Sequence, residues 1–420
     1  MIKFFLKNIK RVCKYICRLL IRIYSVFIKQ NKKQILIYPN LVSYKQLVDV
    51  RNYTHECVLV LFNHLLKMKM MGEELGYECV LVYFQSYQKD IPVPKDSTGK
   101  PLYRQVYCPI EPEFSLFYIK NIFKYYYEYF SSHILITGDP LAVESLKKKT
   151  QIEFCISYYV PFKNDYLRRP KHDSNINYVI SGSKVCSQID SLASRVSYER
   201  YVPLGLPKWE SLLSPRYAKE KLYSFFPYLD VNSKIIVYTP THRDYERIED
   251  THRGFLGLNK DYDDLNCLLE HYNTFLFVKL HIGQVRSVIK NIKEYSHIKF
   301  FDPTHDYNLY DLLPYADLLI SDYTSTYFDY LVLNRPTLFY WYDIDKYIST
   351  RGFSWNPIDV VCEGSIAYNY DELLENIKLF LTEKYPVDYK KIDYIRRLVL
   401  GNNADLEICK RIFDFIKSHS

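Results

Sequence analysis

Residues 317–330, DLLISDYTSTYFDY, run from a short apolar segment, Leu318–Ser321, into a hydroxyl-rich turn and then a helix. An apolar run of this length between turn residues reads as a buried parallel strand. Such a strand ends at a crevice, where the next helix presents unpaired backbone N–H groups and the positive end of its dipole. Thr324, Ser325 and Thr326 add side-chain donors, so the junction is suited to holding phosphate. A plainer reading of the same residues is a capping box between Thr326 and Asp329. Both readings place the junction at the C-terminal edge of a sheet.

The residues that follow are ordered in a specific way. Asn334–Tyr347 reads NRPTLFYWYDIDKY, a second strand (Thr337–Tyr340) closed by an acidic turn, and Ser349–Phe353 reads STRGF. Together with the first stretch they resemble the CDP-glycerol glycerophosphotransferases of teichoic acid and capsule polymer synthesis. That family carries D-Y-S-S-x-x-F-D-Y, then K/R-P-x-x-F-Y, then Y-D-x-x-x-Y, then R-G-F. The matching residues are Asp322, Tyr323, Thr324, Ser325, Phe328, Asp329 and Tyr330; Arg335, Pro336, Phe339 and Tyr340; Tyr342, Asp343 and Tyr347; and Arg351, Gly352 and Phe353. Upstream, Lys234–Asp244 (KIIVYTPTHRD) resembles the family's strand and A-P-T-W-R-D turn, with His242 at the tryptophan position. Thr274–His281 (TFLFVKLH) resembles the strand that delivers a basic residue and a histidine. The likeness is strong over about residues 201–353 and weak before them.

The resemblance implies a set of roles. Thr324 and Ser325 with the helix N-terminus would hold a diphosphate, and Arg351 would pair with a phosphate through its planar fork. Thr241, Arg243 and Asp322 would lie on the donor side. Asp329 would either cap its helix or contact the glycerol hydroxyls. His281 would be the acid–base group, since imidazole exchanges a proton near neutral pH. Where the family has T-W-H-G-T-P, this chain has ISYYVP at 156–161, which puts Tyr158 in place of a second histidine. A phenol with a pKa of about 10 is a poor base, although it can hydrogen-bond an acceptor. No acidic pair or histidine cluster has metal-ligand spacing. The expected reaction needs no metal or cofactor, with helix dipole and arginine serving instead.

The chain has 420 residues, 48% hydrophobic and 25% charged, a globular composition long enough for two domains. Its net charge is +8, yet residues 1–33 alone hold ten Lys or Arg and no acid, so the remainder is slightly acidic. That gives little support to a general nucleic-acid binder, which needs a basic face on the folded body. In the tail, Lys3, Lys7, Lys10, Arg11, Lys14, Arg18 and Arg22 recur every three or four positions beside apolar residues such as Phe5, Ile9, Val12 and Ile16. This is the pattern of a helix lying on an anionic membrane, each basic residue contributing about 1 kcal/mol. The alternative is a helix that packs its apolar face on the body. A spanning segment would need about 20 residues nearly free of charge, and a secretory signal an uninterrupted apolar core. Ten scattered cysteines without a CxxC fit reduced thiols in a cytoplasmic protein.

Strands expected at 34–38, 77–84, 133–137, 153–158 and 178–181 alternate with helices at 57–75 and 114–130, and 91–112 reads as a loop. The pattern restarts after Leu204–Pro207 with strands at 235–239, 275–280, 299–301, 318–321 and 337–340, then helices at 371–382 and 388–417. The architecture expected is α/β and GT-B-like, two Rossmann-like domains facing a cleft. Residues 1–33 form a basic amphipathic helix, 34–204 the acceptor-side domain and 205–420 the CDP-donor domain. The expected activity is transfer of glycerol phosphate or a related polyol phosphate, with release of CMP. The expected partners are CDP-glycerol or a related CDP-polyol, a lipid-linked polymer acceptor and an anionic membrane, at the cytoplasmic face of the cell membrane. Competing readings are a GT-B nucleotide-sugar glycosyltransferase and a non-catalytic membrane-bound donor-binding protein.

Overall fold

The computed structural model describes residues 20–38, 56–83, 93–107, 116–138, 147–157, 160–164, 176–194, 196–241, 256, 261–280, 293–301 and 307–420. Two parallel sheets organise them. The first contains β1 (Asn31–Ile37), β2 (Glu78–Tyr83), β3 (Arg104–Tyr107), β4 (Ser132–Thr137), β5 (Ile152–Ile156), β6 (Tyr178–Ser181) and β7 (Tyr201–Pro203), in the order β3-β2-β1-β4-β5-β6-β7. The second contains β8 (Lys234–Thr239), β9 (Thr274–Val278), β10 (Ile298–Phe300), β11 (Leu318–Ser321), β12 (Thr337–Tyr340) and β13 (Ile366–Ala367), in the order β10-β9-β8-β11-β12-β13. Each order runs outward from a central pair, β1/β4 and β8/β11, and so reverses direction there. Open α/β sheets bind ligands at that reversal, outside the carboxyl ends of the strands.

By tertiary contacts the chain divides into two compact units, one of Met1–Tyr158, His172–Ile180 and Cys409–Ser420, the other of Tyr159–Lys171 and Ser181–Ile408. In the second unit, β9, β11 and β12 are buried at every position, which is why they read as unbroken apolar runs rather than alternating ones. One face of that sheet, through Ile236, Tyr238, Leu276, Ile320, Leu338 and Tyr340, packs on the helices Asp263–His271 and Tyr370–Leu381. In the first unit, Leu36, Tyr38, Val80 and Val82 pack against Tyr125, Tyr129 and Phe130 of the aromatic helix Leu116–Ser131.

Several expectations change. The loop expected over 91–112 contains β3, a four-residue strand whose alternating burial is too brief to register as a period. Strands β7 and β13 and the helices Lys184–Ser194, Pro207–Leu213 and Asp263–His271 also went unread. The single helix expected over 388–417 is two, Tyr389–Leu400 and Ile408–Ser418. Gly401, at φ 65°, ends the first of them. Asn403 then donates from Nδ2 to the carbonyls of Gly182 and Pro203 at 3.1 and 2.9 Å, which holds the break in place.

Residues 20–27 are helical, and the tail before them, residues 1–19, lies outside the described residues. Ile21 and Tyr24 pack on the first unit's core, with Tyr24 edge-on to Phe123 at 5.4 Å. Leu20, Ile23, Val26 and Phe27 are exposed, the last two by about 80%. No helix among the described residues is long and apolar enough to cross a membrane.

Candidate active site

Strands β8 and β11 pair in register, Thr239 beside Ser321, and both then turn at the same edge. Asp322 ties the two turns together. Its carboxylate accepts from the Thr241 backbone N–H at 2.8 and 3.0 Å and from Thr241 Oγ1 at 2.8 Å, and it is fully buried. A carboxylate in this position is tolerated because protein donors replace its water. The indole of Trp341, just past β12, donates to the Asp322 carbonyl at 3.2 Å and brings a third strand end into the same arrangement. The Thr239 and Ser321 hydroxyls beneath it are buried without a hydrogen-bond partner among the described residues.

Beyond Asp322, Thr324, Ser325 and Thr326 are half-exposed while Tyr327, Phe328, Asp329 and Tyr330 are buried. The turn thus shows its hydroxyls outward over an apolar foundation. Ser325 occupies the N-cap position without a side-chain cap, and Thr324 Oγ1 lies 3.2 Å from Thr326 Oγ1. The helix that follows, Thr326–Tyr330, has only five residues and continues as a 3-10 turn, Leu331–Leu333. So short a helix has a small dipole, which leaves the hydroxyls and backbone N–H groups as the main donors the turn offers.

The expected capping box does not form. Asp329 points away from the N-terminus and accepts from Lys208 Nζ at 2.7 Å, Trp209 Nε1 at 2.8 Å and Tyr310 OH at 2.6 Å. Lys208 and Asp329 are both almost wholly buried. Removing one partner of such a pair typically costs about 3–5 kcal/mol, because the other charge is left uncompensated. The pair anchors the short helix from below.

Tyr323 links the turn to the arginine-bearing segment. Its hydroxyl donates to Asp343 Oδ1 at 3.0 Å, and its ring stacks on Tyr347 at 4.0 Å and meets Phe353 at 5.5 Å. Tyr347 lies on the helix Ile344–Thr350, which ends at the half-buried Arg351. Gly352, at φ +71°, lets the chain reverse there, with its N–H and that of Arg351 both donating to the Tyr347 carbonyl. The acidic turn and the arginine are therefore held to the hydroxyl turn through one tyrosine.

At the end of β9, the Lys279 N–H donates to the Tyr238 carbonyl, and its Nζ reaches the Leu280 carbonyl at 3.2 Å. Burial pushes its ammonium below the ordinary lysine range, and among the described residues it has no ion pair. His281, His242, Arg243 and Tyr158 lie outside the described residues. Of the expected site residues, the structure places Thr241, Asp322, Thr324, Ser325, Asp329 and Arg351. Lys208, Trp209 and Tyr310 were not singled out in the sequence, because their link to Asp329 spans more than a hundred residues for the first two and has no local pattern.

Comparison with known proteins bears on this arrangement. The sequence profile of a family described as CDP-Glycerol:Poly(glycerophosphate) glycerophosphotransferase matches residues 116–417. The chain belongs to that family. As a member of this glycerophosphotransferase family, it is a transferase. It is 27% identical to the teichoic acid glycerol-phosphate primase of Bacillus subtilis (strain 168), over 65% of this chain and 70% of the primase. It is 31% identical to the teichoic acid poly(ribitol-phosphate) polymerase of Bacillus spizizenii, over 53% of this chain but only 34% of that longer protein. Among solved structures, the wall teichoic acid polymerase TagF superposes with a TM-score of 0.69 at 20% identity, covering 100% of this chain and 98% of that one. A TagF variant soaked with CDPG superposes at 0.68. These likenesses bear out the family read from the motifs, the α/β class read from the strand pattern and the GT-B-like fold that the resemblance implied.

Proposed function

We propose that the protein transfers glycerol phosphate, or a related polyol phosphate, from a CDP-activated donor to a hydroxyl of a lipid-linked acceptor, releasing CMP, in synthesis of a teichoic-acid-like or capsular polymer. The observation that carries this reading is the half-exposed hydroxyl turn Thr324–Thr326, fixed at the strand-order reversal by Asp322–Thr241 on one side and Asp329–Lys208 on the other. In this reaction an acceptor oxygen attacks the distal phosphorus while the bond to the CMP oxygen breaks. Negative charge then gathers on the phosphoryl oxygens and on the leaving phosphate.

Thr324 and Ser325 donate to the diphosphate, and Arg351 and Lys279 supply positive charge. A bound anion offsets the burial that disfavours the Lys279 ammonium. Asp322 and Asp329, whose carboxylates are taken up by protein donors, act on the donor only by positioning the turn. His281 accepts the acceptor proton, and Tyr158 hydrogen-bonds the acceptor. Arg243 joins the donor side with Thr241. The acceptor is reached from the cytoplasmic face of the cell membrane, where the basic tail and the exposed Leu20, Ile23, Val26 and Phe27 attach the protein peripherally.

Incubation with a panel of CDP-polyols and nucleotide sugars tests the proposal. CMP release from CDP-glycerol or CDP-ribitol is expected, reduced about a hundredfold or more in His281→Ala. Nucleoside diphosphate release from a nucleotide sugar alone would replace it with the glycosyltransferase reading, and no release from any donor with the polyol nucleotide still bound would leave a binding protein.

A further inference from the structure

Residues 160–164 precede the block Lys234–Asp244 by about seventy positions, yet they fold within the second unit against the segment that follows Arg351. Lys163 and Phe353 form an isolated antiparallel bridge. Around it, the Asn164 N–H donates to the Gly352 carbonyl at 3.1 Å and the Ser354 N–H to the Phe162 carbonyl at 2.9 Å. Ser354 Oγ donates to the Lys163 carbonyl at 2.8 Å, and the Trp355 indole to the Pro161 carbonyl at 2.6 Å. Val160 and Phe162 are buried to within 1%. This is a clasp in which Pro161, Phe162, Lys163 and Asn164 each contribute a backbone group to a hydrogen bond.

The ring of Phe162 sits where the two anion-binding elements meet. It lies edge-on to Phe328 at 4.9 Å and contacts Tyr327 at 6.4 Å, both on the helix that carries the hydroxyl turn. It also contacts Phe353 at 5.6 Å, two residues beyond Arg351. We propose that Phe162 is a positioning residue that sets the spacing between the hydroxyl turn Thr324–Thr326 and Arg351, so that one diphosphate engages both. The inference rests on the donor reading given above. Its physical basis is preorganisation. Without the wedge, the arginine segment keeps its link through Tyr323 but loses the ring that joins Phe353 to Phe328, and the ordering then left to the donor is subtracted from binding. A core aromatic with no such role would matter only to folding.

Steady-state kinetics of the full chain with CDP-glycerol separates these cases, because a loss of folded enzyme lowers apparent kcat and leaves KM unchanged. For Phe162→Ala, a rise of about tenfold in donor KM is expected with acceptor KM unaltered, and Phe162→Leu should recover most of it. Trp355→Phe, which keeps the ring and removes the hydrogen bond to Pro161, should raise donor KM by about threefold. Donor KM within about twofold of the parent in Phe162→Ala, whatever its thermal stability, overturns the inference while the proposed function stands. A parent enzyme that releases CMP from no CDP-polyol removes the proposed function and this inference with it.

Discussion

Lys279 is the residue at which stability and function pull apart. Its side chain is half-buried beside the end of β9, among the described residues only the Leu280 carbonyl lies at hydrogen-bond distance from its Nζ, and burial disfavours its charge in the folded state. Because the folded pKa lies below the ordinary value of 10.5, the unfolded chain holds the proton more tightly in the window between the two. The cost of the charge is therefore fully present below the folded pKa and is relieved as pH rises through that window. Lys279→Met is expected to raise the melting temperature at neutral pH and to lower kcat/KM for CDP-glycerol by about tenfold or more. Denaturant titrations at neutral and alkaline pH should show the variant's stability advantage shrinking as pH rises. A variant that is less stable than the parent at neutral pH would contradict the buried-cation account.

At the scale of elements, the site depends on turns more than on helices. The helix after the hydroxyl turn is one of the shortest among the described residues, and two glycines shape the elements downstream of it. Gly352, at φ +71°, has only the Ile348 carbonyl near a would-be Cβ, at 3.6 Å, so Gly352→Ala meets backbone strain but no collision. Gly364, at φ +129°, would place a Cβ 1.9 Å from the Thr337 carbonyl. Gly352→Ala should cost about 1 kcal/mol of stability, whereas Gly364→Ala should cost about 3 kcal/mol or more by prising β13 from β12, a contrast that parallel urea titrations would measure. Equal destabilisation would show that space, rather than φ, was misjudged. The elements that were legible in the sequence are the ones buried on both faces: β11 and β12 were read to the residue, as was β6. Strand β3, with its exposed Arg104, and the two-residue β13 lack that apolar run. The break at Gly401 was missed because apolar spacing resumes after it in the Ile408–Ser418 helix.

For the molecule as a whole, the N-terminal segment carries both the basic residues of the tail and side chains that pack on the first unit's core. Residues 1–19 carry six of the tail's basic residues, while Ile21, Tyr24 and Ile28 already belong to the first unit's core. Removing residues 1–19 is therefore expected to release the protein from vesicles containing anionic lipid and to leave CMP release on a soluble acceptor intact. Removal through residue 30 should also lower the melting temperature, since it strips three packed apolar side chains. Co-sedimentation with vesicles at low and high salt checks the first expectation, and a thermal melt the second. Unchanged sedimentation of the shorter truncation would assign attachment to the exposed Leu20, Ile23, Val26 and Phe27 instead.

The sequence by itself determined the α/β alternation, the hydroxyl turn at the end of an apolar strand and the family, because each is written in residues close enough together to form a local pattern. Only the tertiary structure decided what those residues touch. Asp329 looked like a cap or a ligand contact from its neighbours, and it became an anchor because Lys208 and Trp209, about 120 residues away, supply donors better placed than the helix's own N–H groups. Phe162 carried no signal at all, since its importance arises from three rings brought together by folding. Local spacing encodes which backbone hydrogen bonds form, while side-chain partners are chosen by burial, which is a property of the folded chain.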